Sequence, residues 1–332
     1  MRRISIGNGS RAQIDFEEFR ERARVAEDSG IDTIFVAESW GADGITLLAV
    51  LAQATTRVRL GTSIINNFSR TPAALAMHFA TLDQLSQGRM IIGLGTSGPQ
   101  VIEGLHGIPF DKAVTRMGEY IQIINTLMSG EPLHFKGKIF DVDRGFTFRG
   151  LVPYRNHVPI WVGAMAPRSV KQTAKLADGW LPSHVPSDQW VSLASDFRAM
   201  VVEGGREPGS VEIKAPGGVH ITDDPDTYYQ HSRENTAFYM ARMGDLHYEQ
   251  FKRMGLGEEA DAVRIAWRDH GSKAGYEALP LEVVKELGYA GGVEGAIEYM
   301  EAQREAGFDS FSASVDEPDA KKRSDIYRRL VG

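Results

Sequence analysis

The chain has 332 residues, 42% of them apolar and none cysteine, with 37 basic against 44 acidic side chains for a net charge of −7. These figures exclude disulfides, thiolate metal sites and a cysteine nucleophile, and the interspersed charges point away from nucleic acid and membrane surfaces as partners. The start, Met1-Arg2-Arg3-Ile4-Ser5-Ile6-Gly7-Asn8, lacks the apolar core of a signal peptide, and Leu47–Ala52 is far shorter than the ~20 residues a bilayer span needs, so a cytoplasmic location is expected.

Short apolar runs alternate with amphipathic stretches. Strands are predicted at Ile4–Gly7, Thr33–Ala37, Val58–Ile64, Met90–Leu94, Ile160–Gly163, Gly179–Pro182, Ile213–Ile221 and Ser310–Ser314. Between most of them lie helical stripes: Phe16–Ser29, Pro72–Ser86, Met117–Met128, Ser169–Ala177, Trp190–Glu203 and Val293–Glu305. Glycines at 30, 88, 130, 179 and 307 follow helical patterns as C-caps. Eight strands separated by helices predict a parallel sheet, and eight is the number that closes an α/β barrel. Pro132–Gly150 alternates around Lys136-Gly137-Lys138 and reads as a hairpin excursion; Thr227–Leu287 reads as a long helical insertion packed over one end of the barrel. No linker or repeat divides the chain, so residues 1–332 read as one domain.

Met90-Ile91-Ile92 runs into Gly93-Leu94-Gly95-Thr96-Ser97-Gly98-Pro99, which spells the dinucleotide-binding fingerprint G-x-G-x-x-G. That fingerprint belongs to the first strand–helix unit and needs an acidic residue ~20 positions on, at the end of a second strand. Here three strands precede it, a proline follows its last glycine, and Glu119 falls within a helical stripe. The other readings are a glycine-rich strand end without a ligand, or one whose bare backbone admits a flat ring.

Several stretches resemble the bacterial luciferase-like superfamily: Arg57–Ile64, Ser69-Arg70-Thr71-Pro72 with Leu75-Ala76-Met77, and Leu82–Arg89. Gly93–Gly104 followed by His106-Gly107 is similar to its coenzyme F420-dependent branch, which includes methylenetetrahydromethanopterin reductase-like enzymes. So are Val36–Asp43, Ala237-Phe238-Tyr239 through Met243-Gly244, and Tyr248. The resemblance implies a (β/α)8 TIM barrel with a deazaflavin at the C-terminal ends of the strands. It implies a non-proline cis peptide at Ser63–Ile64 against the inner face of the ring. Thr96, Ser97 and Gly98 would form a small-residue floor beside that ring. Gly163, Ala164, Met165 and Arg168, before a helix start, would hold the phosphate of the cofactor tail, with Pro182 and Ser183 as further candidates.

Glu38, Ser39, Trp40 and Asp43 follow the second strand and face the expected ring edge. Many relatives of the branch carry histidine where Ser39 stands, so Glu38 becomes the first candidate acid, with a carboxyl pKa raised in an apolar pocket. The competing reading of Glu38 is an ion pair or helix cap. Glu103 and His106 are second candidates, with loop–loop hydrogen bonding as their alternative. His184 reads as a surface histidine, and His220 sits in a strand with no partner to name. Trp161 and Trp180 read as core, whereas Trp40 is a candidate pocket wall. No cluster has metal-ligand spacing and no serine sits in a nucleophile elbow, so the chemistry belongs to a cofactor. The expected activity is F420-dependent hydride transfer at the deazaflavin C5 to or from a small organic substrate. The alternatives are an FMN-dependent monooxygenase using oxygen and a non-catalytic flavin-binding barrel. A homodimer fits the family, though no interface is legible.

Overall fold

The computed structural model describes residues 1–7 and 13–332. The elements of the first half are β1 (Ile4–Gly7), α1 (Phe16–Asp28), β2 (Thr33–Val36), α2 (Gly44–Ala54), β3 (Arg59–Thr62), β4 (Ile65–Asn66), α3 (Pro72–Ser86), β5 (Met90–Gly95), α4 (Pro99–Gly104) and α5 (Ala113–Ser129). Then come β6 (Leu133–Lys136), β7 (Asp141–Phe146), β8 (Ile160–Gly163), α6 (Pro167–Leu176), β9 (Gly179–Trp180), α7 (Trp190–Glu203), β10 (Glu212–Ile213) and β11 (Val219–Ile221). The chain continues through α8 (Pro225–Arg242), α9 (Asp245–Arg253), α10 (Gly257–His270), α11 (Ser272–Glu277), α12 (Leu281–Glu286), β12 (Tyr289–Gly291), α13 (Val293–Glu305), β13 (Phe311–Val315) and α14 (Ala320–Val331).

Parallel pairing runs β10-β9-β8-β5-β3-β2-β1-β13, and a parallel bridge between Lys214 and Ser310 joins the two ends. The expected barrel is therefore present. Alternate strand residues face opposite sides. Ile4, Ile6, Ile34, Leu60, Ile92 and Val162 turn outward, where they pack with helix residues such as Leu48, Phe79 and Ile124 in the main core. Phe35, Ile91, Trp161 and Leu181 turn inward as a separate cluster joined by Ile64. Each such fully buried side chain contributes roughly 1.5–3 kcal/mol.

The predicted strand Ile213–Ile221 is broken. Pro216 offers no N–H to a sheet ladder, and a Cβ on Gly217 would lie 2.6 Å from the Tyr299 hydroxyl and 2.7 Å from the Leu287 carbonyl oxygen. Beyond the break, β11 pairs with β13 on one side and β12 on the other. Two more expectations change. Val58–Ile64 stops at Thr62 and resumes as β4, and Gly179 is a strand residue rather than a helix cap.

The hairpin forms from β6 and β7. Its turn is gripped by Glu119 of α5, whose carboxylate accepts the N–H groups of Lys138, Ile139 and Phe140 at 2.6, 3.1 and 2.9 Å. Helices α8 to α12 form the insertion, with a small core of their own around Met240, Phe251, Val263 and Leu279.

Candidate active site

The N-terminal end of the barrel is plugged by charge. Arg3 meets Glu212 at 2.6 Å, Arg59 meets Glu212 at 3.4 Å, and Arg59 also pairs with Asp32. The Arg59 guanidinium lies 5.5 Å from the Trp161 ring centroid, so cation and indole close the floor together. Barrel enzymes place their chemistry at the opposite end.

At that end the glycine-rich run is explained by packing. A Cβ on Gly93 would stand 1.6 Å from the Thr62 carbonyl oxygen, and one on Gly95 would stand 2.6 Å from the Ile64 side chain. Two of the three glycines thus exist because β3 and its continuation press on β5. The dinucleotide reading loses its basis, as does a ribose role for Glu119. The Ser63–Ile64 peptide is cis, as expected. Ile64 lies over Gly95 and reaches within 3.5 Å of where a Gly163 Cβ would be. Thr96 and Ser97 are half-buried, and Ser97 adopts φ 56°, a left-handed conformation that costs a non-glycine residue about 1 kcal/mol or more. Gly98 is buried between Gln100 and the Met243 carbonyl, which ties this loop to the insertion.

Glu38 does not sit in an apolar pocket. Arg70 clamps its two oxygens at 2.6 and 3.0 Å, and the Gly44 N–H donates to Oε2 at 2.8 Å. Arg70 also reaches Asp43, the N-cap of α2. This clamp raises the Arg70 pKa, chiefly through its hydrogen bond to Glu38. A carboxylate held by a bidentate guanidinium is an anion with its lone pairs engaged, so the proton-donor expectation gives way to the ion-pair and cap reading. Ser39, beside it, is exposed. Trp40 is 54% exposed, which places its indole at the mouth rather than in the core; Trp161 and Trp180 are buried.

Glu103 accepts the Phe110 N–H at 3.0 Å, and His106 Nε2 stands 3.5 Å from the Asn66 amide. Glu103 is thus held within its own loop, whereas His106 reaches across to the end of β4. The first turn of α6 has no side-chain cap, and Arg168 is exposed beside it. Its N–H groups and guanidinium are therefore available to an anion. Ala164 accepts the Trp180 indole N–H at 2.7 Å, Met165 Sδ lies 3.5 Å from the Ser183 N–H, and Pro182 is buried. His184 is no surface group. It packs against Phe251 and Tyr239 with ring centroids 5.3 and 5.8 Å away, and burial, aided by His247, pushes its pKa down to about 4.

Sequence reading missed the opposite wall. The inward residues of β13 and its extension are Ser312, Ser314 and Asp316, alternating with buried Phe311, Ala313 and Val315. His220 of β11 joins them: Nδ1 is 2.6 Å from Ser314 Oγ and Nε2 is 2.8 Å from Asp316. Its ring stacks on Tyr228 at 4.2 Å. One layer below, Lys214 has no ion pair among the described residues, and burial pushes its pKa down to about 8. Polar residues at every second position of a strand were the available signal. Among the described residues no group of three or more acidic or imidazole side chains could hold a metal ion, and no helix is long and apolar enough to cross a membrane.

Comparison with known proteins agrees with this geometry. The chain is 36% identical over 307 residues to a Mycobacterium tuberculosis protein assigned as a coenzyme F420-dependent oxidoreductase, covering 86% of this chain and 87% of that one. It is 28% identical to the 5,10-methylenetetrahydromethanopterin reductase of Archaeoglobus fulgidus, covering 82% and 80%. The coenzyme F420-dependent tetrahydromethanopterin reductase of Methanopyrus kandleri superposes with a TM-score of 0.80 at 20% identity, covering 99% and 98%. The sequence model of the luciferase-like monooxygenases matches residues 3–310. With a match of that extent, the chain belongs to the luciferase-like monooxygenase family.

Proposed function

We propose that this chain is a coenzyme F420-dependent oxidoreductase acting on a small organic substrate. The observation that carries this reading is the 36% identity, over 86% of the chain, to a relative assigned that activity. The mouth fits a flat deazaflavin. Gly7, at the end of β1, is exposed, and a Cβ there would meet nothing within 4 Å among the described residues. Ile64, Thr96 and Ser97 offer a small-residue and aliphatic face on the other side. When bound, F420 supplies a hydride donor or acceptor at C5 of its ring.

The rest is the work of the chain. Ser63, Ile64, Thr96, Ser97 and Gly98 hold one face of the ring. Trp40 covers its edge and excludes water. The open first turn of α6, with Gly163, Ala164, Met165 and Arg168, neutralises the phosphate of the tail, as an unsatisfied helix start does for anions. Pro182 and Ser183 complete that side. The Arg70–Glu38–Asp43 network fixes the loop that carries Ser39 and Trp40.

The test is a fluorescence titration of the purified protein with F420 and, separately, with FMN. Saturable F420 binding with weaker FMN binding is expected. Tight FMN binding with oxygen consumption on reduction would replace this reading with a flavin monooxygenase. Binding of neither would defeat both.

A further inference from the structure

We propose that Ser314, His220 and Asp316 form a proton relay on the wall of the mouth formed by β11 and β13, in which Ser314 exchanges a proton with a heteroatom of the substrate. The proposal rests on the F420-dependent reading above and adds the group that balances its hydride.

The hydrogen bonds fix the roles. A carboxylate accepts only, so the Nε2–H of His220 donates to Asp316. In the neutral ring Nδ1 is then bare and accepts the Ser314 hydroxyl at 2.6 Å. Protonating Nδ1 reverses that bond: Nδ1–H donates to Oγ, and the serine O–H is released toward the mouth. The solvent exposures suit this. The His220 side chain is 12% exposed, Ser314 is open and Asp316 is 63% exposed. The imidazole is sheltered behind a hydroxyl that a substrate can reach. Its surroundings are otherwise quiet. Helix α8 presents Tyr228, stacked on the ring, with Tyr229 beside it at 5.8 Å. Strand β12 brings Ala290 and Gly291, which carry no charge. Among the described residues, Asp316 is the one charged group that contacts the ring. The other candidate acid, Glu38, is locked by Arg70.

The step balances for a substrate with a carbon–oxygen or carbon–nitrogen double bond. A hydride from the reduced cofactor forms a bond to the substrate carbon, and the π pair moves to the heteroatom. The heteroatom takes the Ser314 proton, Oγ takes the proton from His220 Nδ1, and the neutral ring keeps its Nε2–H on Asp316. The substrate is reduced by two electrons and the cofactor oxidised by two; solvent returns the proton to Nδ1. Ser314 is the catalytic residue, and His220 and Asp316 position and charge it.

The experiment uses 15N-histidine-labelled protein loaded with F420, as wild type, Ser314→Ala, His220→Asn and Asp316→Asn. Nitrogen shifts of the neutral wild-type ring should report a protonated Nε2 and a bare Nδ1. Asp316→Asn should shift the neutral ring toward Nδ1 protonation, since a carboxamide can donate to Nε2 where a carboxylate only accepts. With reduced F420 and 2-cyclohexen-1-one as probe, Ser314→Ala should lower kcat roughly 10²-fold while F420 affinity stays within about twofold of wild type. A neutral wild-type ring protonated on Nδ1, or Ser314→Ala turning over like wild type, would each overturn the relay. Failure of wild type to bind F420 would defeat the cofactor reading separately, with the imidazole shifts still deciding the relay.

Discussion

The two walls of the mouth are built on opposite principles. On the side of β2, β3 and β5, polar groups are saturated: Glu38 spends both oxygens on Arg70 and Gly44, and the space between strands is filled by Ile64 over Gly95. On the side of β10, β11 and β13, polar groups keep capacity in reserve. Ser314 is open, His220 can gain a proton, and Lys214 has no counter-ion among the described residues. A saturated wall holds a ring in place, and an unsaturated one can exchange protons or meet a charge. The difference teaches that a carboxylate near a site is not thereby an acid; its partners decide.

The largest effect should come from breaking the saturated wall. Arg70→Met leaves a mostly buried carboxylate unpaired and should lower stability by about 3 kcal/mol in urea unfolding. Glu38→Gln keeps neutral hydrogen bonds and should cost less, about 1–2 kcal/mol. Equal costs would show that the pair is not the unit proposed.

A second effect is acid loss of stability at His184. Burial holds its folded pKa near 4, against roughly 6.5 for an unfolded imidazole. Its contribution is whole above pH 6.5 and drains as pH falls toward 4, because the unfolded chain takes up the proton first. The loss should be on the order of 2 kcal/mol across that window. His184→Phe should remove it, and an unchanged pH profile would show that the ring is wetter than described.

A smaller gain should come from the reserved wall. Lys214 is charged at neutral pH at the expense of desolvation, which is relieved as pH rises from about 8 toward 10.5. Lys214→Met should stabilise the protein near pH 7 by roughly 1–2 kcal/mol, a gain that would mark the lysine as kept for something other than folding. The smallest effect is on the cofactor tail: Arg168→Ala should weaken F420 binding severalfold, more so at low salt, because its charge is exposed and screened.

Much of the barrel was legible because its outward residues repeat with simple periods. The Ile4–Gly7 and Ile160–Gly163 strands, the hairpin at 132–150 and the helical character of 227–287 followed from alternation and apolar stripes. What escaped depended on contacts distant in sequence. Nothing local shows that Glu38 meets Arg70 thirty-two residues on, or that the insertion folds over His184. His220 meets Ser314 and Asp316 from nearly a hundred residues away. The break at Pro216-Gly217-Gly218 was visible as residues yet was read through, because apolar positions on both sides suggested one strand. Helices α2 and α14 were not identified: α2 is apolar on most faces and α14 is dominated by charge.

The central claim is that proton transfer belongs to the wall of β11 and β13 and not to Glu38. The direct test is the pH dependence of kcat for reduction of one carbonyl substrate by reduced F420, in wild type, Glu38→Gln and His220→Asn. The account predicts that Glu38→Gln keeps the wild-type ionisation and that His220→Asn loses it. An ionisation that survives in His220→Asn and vanishes in Glu38→Gln would contradict the account.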